Sequence, residues 1–425
     1  MFSRNTMWAI GGGVLFAILI SLLGWFLFIR TQNENLAQTT EGRGFGTDIP
    51  SFESGPVGST NQNIRDTLLS GFGLFSGNGG SEENAEEVRA IPRLWNPSSV
   101  PAGGIAVMGT STQTKIQFVE RPSGNIFESN LSDGNVTRVS NTLIPNVYQT
   151  YWAGDEVLVM QHLDESGDVA TLLGTVLKTA TSTEETPATT FEGSYLEPDI
   201  VSVATTQESD EIFYIVKTTT GSVGIITSIG DDSARRIFTS RLSGWRSKGI
   251  NENTILLFQN ASQGTEGSAF LLQKNSERIP LQDNIRGLIT AISGDEAHVL
   301  FNNIVEGRIT LFSKMTDGPQ REVPLTTFAE KCVFSPLNSS IAYCAVPREI
   351  PNAQLPDAWY RGEVHFSDDW WIVDMSTGLV EQLISPESDY GVSLDVIDPT
   401  ISNDGAYIVF LDALTRTPWV LRVVQ

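Results

Sequence analysis

The chain has 425 residues, enough for two or more average domains or for one long repeat fold. Acidic residues outnumber basic ones by 50 to 27, giving a net charge of −23, which argues against nucleic-acid binding and against adsorption to an anionic membrane face. Two Cys and three His (His162, His298, His365) leave no basis for a disulfide framework or a Cys-rich zinc module.

Residues 8–29 read WAIGGGVLFAILISLLGWFLFI, without a single charge. At 1.5 Å per residue such a helix is about 33 Å long, enough to cross a bilayer core. Trp8 and Trp25 fall toward its ends, where amphipathic rings favour the interface. A cleaved signal peptide would have a shorter apolar run and a small-residue cleavage site; this run ends at Phe28-Ile29-Arg30. Residues 1–30 therefore read as a retained transmembrane anchor. Arg4 on one side nearly balances Arg30 and Arg43 on the other, so charge barely orients the span. A short tail, one span and a Lys-poor β-rich domain suit an exported protein. The expectation is a single-pass membrane protein with its N-terminus cytoplasmic and its large domain outside the cytoplasm.

Residues 31–87 are rich in Gly, Ser and Asn and cannot bury enough apolar surface to offset the entropy of ordering, so they read as a flexible linker. Within them Ile64, Leu68 and Phe72 have the spacing of a short amphipathic helix.

Residues 88–425 divide into segments whose first strands start near Gly104, Val147, Ile200, Gly249, Thr290, Cys332 and Asp398. A period of about 40–50 residues filled with short strands is the pattern of propeller blades. The fold class is all-β, a seven-bladed β-propeller of four-stranded blades, with six or eight blades as the alternatives. Segments two, four and seven show only three clear strands each. A ring closed by a three-stranded last blade leaves an unpaired edge, and residues 88–95 are the natural donor of the missing strand, beside residues 419–423. Helix content in this region should be near zero.

The clearest hairpin is EKCVFSPLNSSIAYCAV, residues 330–346, in which two apolar runs flank a Ser/Pro/Asn turn. The same form recurs in residues 401–410, ISNDGAYIVF. Residues 334–343 and 401–410 resemble the F-S-P-D-G-x-x-[IL]-[AV]-[FY] repeat of TolB-type, WD40-like β-propellers, strongly in blades six and seven and only in pattern upstream. The hairpin of blade six also looks like those of membrane-anchored bacterial propellers. The resemblance implies a propeller and a protein-binding or scaffolding habit, and it transfers no catalytic residue.

Propeller peptidases carry a G-x-S-x-G elbow in an added α/β domain; neither that motif nor a P-loop, a G-x-G-x-x-G or an H-E-x-x-H occurs. No catalytic, cofactor-binding or metal-binding residue is assigned and no cofactor is expected. The pairs Asp231-Asp232 and Asp368-Asp369 read as turn residues.

The candidate site is the insertion after the second strand of blade six. Trp359, Tyr360, Arg361, His365, Trp370 and Trp371 concentrate there the residue types that dominate binding hot spots. Long loops on a rigid scaffold tend to carry function. The partner would be a protein or cell-envelope component. The alternatives are a carbohydrate-binding or hydrolytic propeller using the same rim, and a plug whose rings serve only as core.

Cys332 and Cys344 lie on the two strands of the 330–346 hairpin. A turn at Leu337-Asn338 sets Cys332 opposite Tyr343, and one bulge would bring the two Cys together for a disulfide. The alternative is two free buried thiols.

Overall fold

The computed structural model describes residues 91–423, except 111–112, 142, 179–188 and 231–233. The chain divides between Glu86 and Glu87, and every described residue belongs to the second unit. The expected anchor (8–29) and linker (31–87) lie outside the described residues. Among those described, no helix is long and apolar enough to cross a membrane.

The unit contains seven four-stranded antiparallel sheets, six with their strands in sequence order and the seventh closed by a strand from the start of the unit. They span residues 102–138, 147–195, 200–240, 245–286, 290–323 and 332–384, with a seventh of 396–422 completed by Leu94–Trp95. First strands of neighbouring blades touch one another: blade 1 with 2, 2 with 3, 3 with 4, 5 with 6, 6 with 7 and 7 with 1. They therefore line a central channel, and later strands lie progressively outward.

The core is a ring of inter-blade layers. Blades 1 and 2 meet through Met108, Ile126, Trp152 and Met160, blades 3 and 4 through Phe213, Phe238, Trp245 and Leu257, and blades 6 and 7 through Trp370, Val396, Ile408 and Phe410. Each sheet is covered on both faces, so its middle strands are apolar throughout; all of Ile212 to Val216 is buried. This explains why period-two alternation is faint in the sequence.

The ring closes as expected. Leu94 pairs with Leu421 and Trp95 with Val420, which makes Leu94–Trp95 the outermost strand of blade 7. Leu94 is buried among Ile384, Ile408 and Leu421. The Arg93 guanidinium donates to the carbonyls of Arg422 and Val423, both at 3.0 Å, and caps the end of that strand.

The recurring Ser before the turn has a mechanical role. Ser402 Oγ accepts the Tyr407 N–H at 2.9 Å and donates to Asp404, while Gly405 turns the chain at φ 71°. Ser293 does the same with His298 and Asp295 in blade 5. One hydroxyl thus closes the first hairpin of these blades, an arrangement of local side-chain bonds that turn positions favour.

Two expectations are corrected, and the near-absence of helix holds. Blades 2 and 4 have four strands, the missing ones being Thr189–Tyr195 and Trp245–Gly249. Among the described residues α-helix is confined to two short pieces, α1 (Asp357–Tyr360) and α2 (Pro386–Tyr390), in line with the expected near-zero content. The second is specified locally, with Ser385 as N-cap, Pro386 in the first turn and left-handed Gly391 ending it. The register of the first hairpin of blade six also differs: Val333 faces Tyr343 and Cys332 faces Cys344 directly, with no bulge.

Candidate functional site

In blade six the second strand is Ile341–Pro347 and the third Asp368–Asp374. Residues 348–367 join them at the rim that also carries the blade-to-blade connections. The segment is long, yet it is fastened from below. Trp359, in the single turn of α1, stacks on Phe328 with centroids 5.2 Å apart and leans on Phe366 at 5.7 Å. All three rings are buried, so the insertion extends the hydrophobic layer between blades 5 and 6.

Under these rings lies a buried charge cluster. Lys331, the last residue of a 3-10 turn (Ala329–Lys331), places its ammonium 2.6 Å from Asp368 and 2.6 Å from Asp395. The same ammonium sits 4.7 Å from the Trp359 centroid and 4.8 Å from that of Phe366, a cation–π pairing on two faces. Asp395 also accepts from Trp359 Nε1 at 3.0 Å and from the Phe366 N–H at 3.2 Å. Asp368 accepts the Val396 N–H at 2.8 Å. Burial pushes the Asp368 carboxyl up to about 6, against the pull of Lys331 and of that N–H. The cluster ties the 3-10 turn, the insertion, the third strand of blade 6 and the start of blade 7 to one point.

The six predicted site residues fall into three groups. Trp359 is buried, and Trp370 is fully buried against Phe410 of blade 7 at 5.4 Å. Trp370, expected on the partner surface, is instead core, because alternation along its strand turns it toward blade 7 while Trp371 and Val373 turn toward blade 5. Trp371 is half-buried against the layer between blades 5 and 6. His365 stands at the edge of the cluster, its Nδ1 3.5 Å from Asp395. Tyr360 and Arg361 are exposed at the rim. Arg361 forms a two-point contact with Glu363, at 2.6 and 3.0 Å. Tyr360 donates to Glu330 and also feels the charge of Arg246, on the innermost strand of blade 4, so its ring overlooks the channel. The ring is exposed, but its hydroxyl end is closely surrounded by protein; that desolvation and Glu330 both hold the Tyr360 hydroxyl protonated, well above its ordinary range.

Sequence reasoning missed Lys331, Asp395 and the burial of Asp368, which was assigned to a turn. Asp368 opens a strand with its side chain wholly inside. The available signal was Lys331 itself, a charge set between Phe328-Ala329 and Cys332-Val333-Phe334. Cys332 and Cys344 are joined as a disulfide within the same layer, with Cα atoms 4.0 Å apart.

Seven four-stranded sheets around a channel, with one elaborated rim, define the chain as a seven-bladed β-propeller. No protein-family model matches the sequence, and no curated protein matches it. Among solved structures it is similar to the Pan2 WD40 domain of Neurospora crassa, at 10% identity over 78% of this chain and 96% of that one, TM-score 0.47. It is similar to TolB from Acinetobacter baumannii at 11% identity over 75% and 79%, TM-score 0.39. It is also similar to the tricorn protease, at 9% identity over 72% of this chain, TM-score 0.34; the chain spans only 33% of that protein's length. Likeness at this level carries no argument about function, and the fold rests on the sheet topology itself.

Proposed function

We propose that the chain is a protein-binding or scaffolding module of the cell envelope, tethered through residues 8–29 and held outside the cytoplasm, with the blade-six rim as its partner surface. The observation that carries the rim assignment is the contrast within one turn of helix. Trp359 is locked into the core by stacking and by Asp395, while Tyr360 and Arg361, the next two residues, are exposed. A rigid base beneath exposed Tyr and Arg is the arrangement interface hot spots favour. The excess of 50 acidic over 27 basic residues favours a protein or envelope partner over nucleic acid. The uncharged run supports the tether, and a paired Cys332 and Cys344 suits an oxidising compartment.

The test is site-specific photo-crosslinking in the full chain, in membranes of its own host. One probe replaces Tyr360. The other replaces Leu337, which is exposed in the turn at the opposite end of the second strand of blade 6. The reading expects a discrete, saturable adduct from position 360 and none from 337. Equal labelling from both positions, or none from 360, contradicts it.

A further inference from the structure

Lys331 is enclosed by more than an ion pair requires. Its ammonium lies 2.6 Å from an oxygen of Asp368 and 2.6 Å from one of Asp395, so two carboxylates face one cation. Trp359 and Phe366 close further sides, with ring centroids at 4.7 and 4.8 Å. Asp368 Oδ1 is buried without a hydrogen-bond partner, so the enclosure offers more acceptor than Lys331 fills. Carboxylates and aromatic faces gathered around one point are the groups that recognise ammonium ligands.

The walls are held in place without the lysine. Asp395 accepts from Trp359 Nε1 at 3.0 Å and from the Phe366 N–H at 3.2 Å, and its own N–H donates to Asp412 Oδ1 at 2.9 Å. Asp368 accepts the Val396 N–H at 2.8 Å, and its own N–H donates to the Leu394 carbonyl at 2.9 Å. Trp359 stacks on Phe328, with centroids 5.2 Å apart. None of these contacts involves Lys331. The wall residues come from the insertion, the third strand of blade 6 and the approach to blade 7, whereas Lys331 alone enters from the 3-10 turn. The lysine therefore sits in the frame as a ligand does. Solvent is close by, since exposed His365 has its Nδ1 3.5 Å from Asp395.

The two carboxylates fix the class of ligand. Each takes an N–H from the same nitrogen, so the cation must carry more than one N–H. A primary ammonium does. A quaternary ammonium has none and would set methyl groups against both acids.

We propose that Trp359, Phe366, Asp368 and Asp395 form a binding cage for a primary alkylammonium ion, filled in cis by Lys331. This stands on the cluster alone and does not depend on the rim being a partner surface. Lys331→Ala removes Cγ, Cδ, Cε and the ammonium, the fragment that n-propylammonium reproduces. That ion, supplied from solution, takes the place of the missing side chain.

The test is urea denaturation of full-chain Lys331→Ala, in detergent at neutral pH, titrated with n-propylammonium chloride while sodium chloride holds the ionic strength constant. The proposal expects a saturable rise in the midpoint, as binding to the folded state alone produces. Binding should be at least about tenfold tighter than for tetramethylammonium or n-propanol, which lack the charged N–H bonds. Lys331→Met, whose unbranched chain fills the same space, should show no rise. A Lys331→Ala chain that folds only with propylammonium present supports the proposal in stronger form. If it folds in neither condition, Lys331→Ala combined with Asp368→Asn keeps the test valid. That variant buries one carboxylate fewer and still presents Asp395 and both rings to the amine. Failure of propylammonium to stabilise or restore either variant overturns the proposal. So does an equal rise with tetramethylammonium or propanol, or in Lys331→Met, which would mark a solvent effect only.

Discussion

Lys331 and Asp368 lie 2.6 Å apart with neither side chain reaching solvent. Two charges in a core are costly to desolvate, and the cost is offset only when the pair and its remaining lone pairs are satisfied. Here Asp395, Val396 and two aromatic faces satisfy Lys331 and one oxygen of Asp368, while Asp368 Oδ1 is buried without a hydrogen-bond partner. Lys331→Met removes the cation and leaves two buried carboxylates. The expected loss is about 3–5 kcal/mol of unfolding free energy, read from urea denaturation of the propeller. A loss below about 1 kcal/mol would mean that water or rearrangement satisfies the aspartates.

The same pair predicts an unusual pH response. Burial raises the Asp368 carboxyl from 3.8 to about 6, so the folded state holds its proton more tightly than the unfolded chain. Its proton-linked stabilisation is therefore fully present below about 3.8 and is lost as pH rises through about 6. The full effect is about 3 kcal/mol at most. Relative to Asp368→Asn, the native chain should gain stability as the pH is lowered from 7.5 to 5. A flat or opposite difference between the two denaturation profiles would show that Lys331 keeps Asp368 ionised throughout.

Ring closure rests on a short strand, and Leu94 supplies its buried anchor. Leu94→Ala should cost about 2–4 kcal/mol, as large-to-small changes in cores do. A chain beginning at residue 98 should be less stable than one beginning at 85, by urea midpoint. Equal midpoints would mean that the strand contributes nothing to the ring.

Trp359→Ala should unfold the insertion as well as impair binding, because the ring stacks on Phe328 and holds Asp395. A cost of about 3–5 kcal/mol is expected. Tyr360→Ala, at an exposed ring, should leave the denaturation midpoint nearly unchanged. The pair of variants separates the plug from the contact surface, which one substitution at Trp359 cannot do.

The Cys332–Cys344 bond closes a loop of 12 residues and should contribute about 2–3 kcal/mol. Mass spectrometry of non-reduced peptides from the native host should recover 332 and 344 linked. Two free thiols there would count against both the bond and the extracytoplasmic assignment.

The blades were legible where their hairpins follow one rule. Residues 334–343 and 401–410 announce a strand, a Ser and a turn, and the structure shows that Ser holding the hairpin of blade 7. Leu94–Trp95, within the expected donor segment 88–95, is legible as a closing strand because the last blade reads one strand short. Trp245–Gly249 was not, and the reason is physical: as an innermost strand it turns Arg246 and Lys248 to the channel, so it reads as polar. Thr189–Tyr195 was missed because TTFEGSY has little apolar content. At the rim, residue type marked the right segment but could not divide it. Trp359 and Tyr360 are adjacent in sequence, and only the stacking on Phe328 and the reach of Asp395 decide that one is core and the other exposed. The Lys331 cluster was hidden because its members lie 37 and 64 residues apart.

The rim assignment is tested most directly by affinity. The partner recovered through position 360 is purified and titrated against the full chain, with Tyr360→Ala and Arg361→Ala beside Leu337→Ala. The account predicts that the two rim variants lose at least tenfold in affinity at unchanged denaturation midpoint, while Leu337→Ala binds as the native chain does. Native affinity in both rim variants would contradict it.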